Sequence, residues 1–166
     1  PSSETGLDFV PQFPQEAPFR LLTDQAAGCG ISIGDFDLDG NPDIYLTHYD
    51  RGNRLYRNMG DWRFIDVTDQ AGVGGEGRWC AGAVFTDIDN DGDLDLFVCA
   101  FNAPNLLYIN EGQGRFREKA RDHGLDFSGA SVMMAFADYD LDGDMDGYLV
   151  THRLNIGRMA RLPKSS

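Results

Sequence analysis

Cysteine is scarce in this 166-residue chain, which has only Cys29, Cys80 and Cys99. Three are too few for a disulfide scaffold, and the sequence leaves open three thiols or one disulfide with one thiol. Cys99 stands in an apolar run and reads as a buried thiol. Basic residues are also few, 14 against 27 acids, for a net charge of −13. No basic patch is available for a phosphate backbone, which excludes nucleic acid as a partner. No apolar run approaches the length of a membrane-spanning helix, so no membrane span is expected. The chain opens at Pro1 without a charged stretch followed by an apolar one, so no signal peptide is expected within it. Histidine is limited to His48, His123 and His152, scattered along the chain and read as structural or surface residues.

Aspartate is abundant, and it is concentrated in three places. Asp35-Phe-Asp37-Leu-Asp39-Gly40-Asn41-Pro-Asp43, Asp87-Ile-Asp89-Asn-Asp91-Gly92-Asp93-Leu-Asp95 and Asp138-Tyr-Asp140-Leu-Asp142-Gly143-Asp144-Met-Asp146 all obey D-x-D-x-D-G-x-x-D. Their starts lie 52 and 51 residues apart, and together they hold 14 of the 27 acids. The remainder of the chain is close to neutral, so the acidity is local. Carboxylates at such density repel one another by about 1 kcal/mol per pair at 4 Å in water, and by about 4 at an effective dielectric of 20. Order in these loops therefore calls for a cation. Hard oxygen donors around a sharp glycine turn suit Ca²⁺ better than Zn²⁺, which prefers nitrogen and sulfur, or Mg²⁺, which keeps its waters. One ion per loop gives about three per chain. The carboxylates at positions 1, 3, 5 and 9 are the candidate ligands, with the position-7 carbonyls of Asn41, Asp93 and Asp144 as a further donor.

An EF-hand opens in the same way but requires a glutamate at position 12 and a helix on each side. Position 12 here is Leu46, Val98 and Leu149. The flanks are short apolar runs rich in β-branched and aromatic residues, which predict strands: 83–86 and 96–101 around the second loop, 132–137 and 148–151 around the third. Each loop then joins the two strands of a hairpin. Counted from the first aspartate, Asn53 and Asn105, Asn58 and Asn110, Gly60 and Gly112, and Phe64 and Phe116 share offsets. Strands are predicted at 55–58 with 62–67, and at 106–110 with 115–119, each pair closed by an Asn-x-Gly turn. A unit is four strands in about 52 residues, the size of a β-propeller blade. The expected fold is all-β, a partial β-propeller of four-stranded blades.

In outline, 1–18 reads as a proline-bearing linker, 19–152 as repeats and 153–166 as a basic tail with Arg161 and Lys164. Phe19-Arg-Leu-Leu-Thr-Asp-Gln-Ala26 echoes Phe64-Ile-Asp-Val-Thr-Asp-Gln-Ala71, as the end of a preceding blade would. Gly147, where the second unit has Leu96, predicts a bulge or a close approach. The insert 74–79 reads as a mobile rim loop, with Trp79 available to pack or to stack on a sugar.

The acidic loop between two strands, followed by Asn-x-Leu-Tyr-x-Asn and a downstream Phe, resembles the FG-GAP/VCBS repeat. That repeat builds the calcium-binding propeller of integrin α-subunit heads and of many secreted bacterial proteins. The bacterial kind that accompanies an ASPIC/UnbV module is the nearer likeness, over about 19–152. The resemblance implies calcium ligands at Asp35, Asp37, Asp39, Asn41 and Asp43, at Asp87, Asp89, Asp91, Asp93 and Asp95, and at Asp138, Asp140, Asp142, Asp144 and Asp146. It implies a non-catalytic scaffold for a protein or glycan ligand, extracellular, periplasmic or at a cell surface, flanked by further blades of the same chain or by another subunit. The alternative is a non-catalytic or substrate-binding part of a larger secreted lyase, hydrolase or phospholipase. No H-E-x-x-H occurs, every clustered aspartate has a metal-ligand role, and no catalytic residue is expected.

Overall fold

Alternation of apolar and polar residues between turn-forming clusters sets the strands, and the structure follows it closely. It is a computed structural model and describes residues 2–9, 29–49 and 51–152. β1 (Ile31–Gly34), β2 (Asp43–Leu46), β3 (Arg54–Asn58) and β4 (Phe64–Asp66) form a four-stranded antiparallel sheet in chain order. β5 (Cys80–Thr86), β6 (Asp95–Pro104), β7 (Leu106–Asn110) and β8 (Phe116–Glu118) repeat that meander, and β9 (Ser128–Ala137) with β10 (Asp146–Thr151) makes a third hairpin. Two one-turn helices, α1 (Ser2–Thr5) and α2 (Thr68–Ala71), complete the described elements.

The second and third units are joined by a strand pairing that the repeat did not predict. β6 is ten residues long and outruns β7. Its end, Phe101 to Pro104, pairs instead with the start of β9, Phe101 opposite Ala130 and Pro104 opposite Ser128. The second and third units thereby share one six-stranded sheet.

Period-two alternation places the core between the units. On one face of β6 and β7, Leu96, Val98, Leu106 and Tyr108 pack against Phe36, Tyr45 and Leu55 of the first unit. On the other face, Phe97, Cys99 and Leu107 pack with Met134 of the third. Burial of one such side chain contributes about 1.5–3 kcal/mol, so a middle unit apolar on both faces is held from both sides. The first strands approach closely enough to require glycine. A Cβ on Gly30 would stand 2.5 Å from the Ala81 carbonyl oxygen, and one on Gly82 would stand 2.3 Å from that of Val132. The same repeat position in the third unit is Met133, 54% exposed. Ser32 Oγ accepts the Phe85 N–H across the first of these contacts at 2.9 Å.

Several expectations are refined. Residues 2–9, within the predicted linker, include α1 and lie on the first unit, where Tyr56 donates to Asp8 Oδ1 at 2.8 Å and Phe9 meets His48 edge-on. The remainder of that linker, the echo at 19–26 and the whole 153–166 tail lie outside the described residues. All three cysteines are free, Cys80 and Cys99 buried and Cys29 exposed. Burial pushes the Cys99 thiol up to about 12. Trp79 packs on Phe101, ring centroids 4.7 Å apart, and Gly74 accepts the Asn53 N–H, so the predicted rim loop is tied to the body. At Gly147 the close neighbours are side chains, Met134 and Phe136, and the register irregularity of β10 comes later, at Val150–Thr151.

Candidate metal centre

Each acidic loop folds on its own first aspartate. Asp35 accepts the N–H groups of Asp39 and Gly40, Asp87 those of Asp91 and Gly92, and Asp138 those of Asp142 and Gly143, all between 2.8 and 3.2 Å. The turn needs glycine at position 6, where φ is +89°, +95° and +96° for Gly40, Gly92 and Gly143, a region costly for residues with a Cβ. The position-5 carboxylate accepts the N–H two residues on, Asn41, Asp93 or Asp144.

The ninth position does something the sequence did not reveal. Asp43 and Asp95 are fully buried. Asp95 Oδ2 accepts the Ile88 N–H at 2.9 Å and its Oδ1 accepts the Asn110 N–H at 2.8 Å. Asp43 repeats both bonds with Phe36 and Asn58, and Asp146 repeats the first with Tyr139. This carboxylate knots the start of its loop to the strand beyond the hairpin. The repeated asparagines are ties of the same kind rather than turn residues alone. Asn53 and Asn105 accept the N–H groups of His48 and Ala100, and Asn110 donates to the carbonyl oxygens of Leu94 and, in the first unit, Phe36. Shared offset was the only sequence signal for them.

Three sets of carboxylates converge. Asp35, Asp37 and Asp39 each offer an oxygen within 4.8 Å of the others, as do Asp87, Asp89 and Asp95, and Asp138, Asp140 and Asp146. Oxygens on opposite sides of one Ca²⁺ lie about 4.6–5.2 Å apart, so these trios fit a single ion of that size. Asp43, Asp91, Asp93, Asp142 and Asp144, predicted as ligands, lie outside the trios, and the side chain of Asn41 donates to Asp39. The loops stand side by side, Asn90 of the second donating to the Gly143 carbonyl of the third at 2.9 Å.

Two of the loop carboxylates have an oxygen that is sealed from solvent. Asp37 Oδ1 and Asp93 Oδ1 are buried without a hydrogen-bond partner. Burial, with the charges of Asp91, Asp95 and Asp89 adding to it, pushes the Asp93 carboxyl up to about 6. Burial raises Asp43 likewise to about 6, and raises Asp37 against the pull of Arg57. The backbone and side-chain amides of Asn41, followed by Arg57, hold Asp39 below the usual range. Among the described residues, a side chain supplies positive charge only in the first loop: Arg57 Nε lies 2.5 Å from Asp37 and its Nη2 lies 3.1 Å from Asp39.

One short pattern in the first unit matches a catalytic motif by letter. Gly30-Ile-Ser32-Ile-Gly34 spells G-x-S-x-G, which in hydrolases sits on a strand-to-helix turn that exposes the serine. Here Ser32 lies within β1 at 9% exposure, and its hydroxyl takes the Phe85 N–H as described. The geometry is that of a strand tie.

The fold and the loops define an all-β repeat protein in which the first hairpin of each unit closes on an acidic loop. The FG-GAP-like repeat matches residues 35–98 and again 87–149, and the chain belongs to that family. It is similar to cartilage acidic protein 1 of Xenopus tropicalis, 27% identical over 128 residues, covering 75% of this chain and 19% of that protein. The human protein of the same name is 29% identical over 136 residues, covering 72% of this chain and 19% of its own. The mouse protein is 30% identical over 136 residues, covering 72% of this chain and 20% of its own. The chain thus spans about a fifth of these relatives. All three are vertebrate, so the FG-GAP-like part of the resemblance stands while its bacterial, ASPIC/UnbV-associated part finds no support among them.

Proposed function

We propose that this chain is a calcium-stabilised segment of a β-propeller, working outside the cytosol as a non-catalytic scaffold that presents its loops to a protein or glycan. Its four-stranded units are blades, and the acidic loops hold about one Ca²⁺ each. The carrying observation is the orphaned, buried carboxylate oxygens of Asp37 and Asp93 beside three converging acid trios. Position 3 and its partners supply the cage, position 9 anchors it, and the position-7 carbonyls complete it. Abundant calcium outside the cytosol suits such loops, and the word cartilage in the relatives' name fits that location.

Further blades, from the parent chain or another subunit, cover the two outer faces. Ile31 and Ile33, 57% and 63% exposed, occupy the repeat offsets at which Ala83 and Phe85 pack into the first core. Beside them a groove of about 520 Å³ is lined by Ile33, Pro42, Ile44, Trp62 and Phe64. Tyr148 and Val150 stand open on the far hairpin.

Calorimetric titration and a thermal melt test this reading. A site filled at 100 times its Kd adds about 2.7 kcal/mol, so three add about 8. At about 2–4 °C per kcal/mol, chelation with EGTA lowers Tm by about 15–30 °C. A melt indifferent to calcium refutes the proposal.

A further inference from the structure

The three loops share a motif but differ in electrostatic surroundings, and Arg57 makes the difference. Its guanidinium bridges Asp37 and Asp39 in the first loop. The same repeat offset in the second unit is Ile109, and among the described residues no ion pair reaches an acid of the second or third loop. The acid trios register the contrast. In the second and third loops the converging carboxylates are positions 1, 3 and 9, whereas in the first they are positions 1, 3 and 5, the two acids that Arg57 draws together being among them. Asp37 still presents a buried oxygen without a hydrogen-bond partner, so the loop remains open to a cation.

We propose that Arg57 is a resident counter-cation of the first loop, making it the weak, exchangeable calcium site beside two tighter ones. This rests on the calcium-binding reading above. An entering Ca²⁺ must displace the guanidinium from Asp37 or Asp39, or bind beside its positive charge. Either route lowers affinity there. A single charge held about 6 Å from a dication in water is worth about tenfold in affinity, and the broken ion pair adds to that. Among the described residues the second and third loops meet no such competitor; they fill first, which gives the segment a graded response to calcium.

The test is calorimetric titration of the chelator-stripped chain with Ca²⁺, repeated by luminescence with Tb³⁺. The wild-type chain is expected to show two tighter sites and one weaker. Arg57→Ile, which installs the second unit's residue, is expected to tighten the weak site by about tenfold or more and leave the others unchanged. Arg57→Lys, which keeps the charge but loses the planar fork, falls between and serves if the isoleucine variant folds poorly. Three indistinguishable sites in the wild type, or a weak site that Arg57→Ile leaves unchanged or weakens further, would overturn the assignment while leaving calcium binding intact. No binding at any loop would overturn both.

Discussion

Replacing Asp95 by alanine separates the structural role of the ninth loop position from any role in holding metal. In the chelator-stripped chain this carboxylate is fully buried and accepts two backbone N–H groups, from Ile88 and Asn110. Removal leaves both donors buried and unpaired, at about 1–3 kcal/mol each. The loss is offset in part because a buried carboxylate is itself costly. The net expectation is about 3–4 kcal/mol of destabilisation without metal, a large share of the 5–15 kcal/mol typical of a domain. Asp89→Asn is the contrast, since Asp89 is an exposed member of the same acid trio. Without metal it relieves repulsion and changes stability by less than about 1 kcal/mol. With saturating calcium it forfeits the second site's contribution, about 2.7 kcal/mol at 100 times Kd. Urea denaturation in EGTA and in calcium reads all four combinations, with the slope checked for constancy. Equal stabilities for the two variants in EGTA would refute the claim that position 9 is a lock rather than solely a ligand.

Gly82→Ala pushes a methyl group against the Val132 carbonyl oxygen, 2.3 Å away. Overpacking of this kind costs about 1–3 kcal/mol, so the urea midpoint falls; an unchanged midpoint would show that the first strands can separate freely. In the metal-free chain, the Asp43 and Asp93 carboxyls are raised to about 6 from an ordinary 3.8. A raised acid holds its proton more tightly folded than unfolded, so these two contribute stability below about pH 4 and lose it as pH rises through about 6. Melts of the metal-stripped chain in calcium-free buffer are therefore expected to show a higher Tm at pH 4.5 than at pH 7, and calcium to reverse that order, because the ion replaces the proton. A metal-free melt that rises with pH over this range would contradict the assigned burial.

The sequence by itself settled what is local and periodic. Positions 1, 3, 5, 6 and 9 of each loop, the strands on either side and the four-strand unit were all legible, because strand alternation, positive-φ glycine and the crowding of carboxylates are properties of a few neighbouring residues. Even the two-faced burial of Leu96 to Phe101 followed from an uninterrupted apolar run. Only the tertiary structure decided which carboxylates converge and which are taken up as ties. Asp95 and Asp91 look alike in the motif, yet one is sealed against backbone donors from a strand fifteen residues away while the other stays in solvent. Asn110 reaches Phe36, 74 residues back, and Arg57 reaches across 18 residues to Asp39. Such partners are set by how whole units stack, a long-range outcome of core packing that no window of neighbouring residues contains.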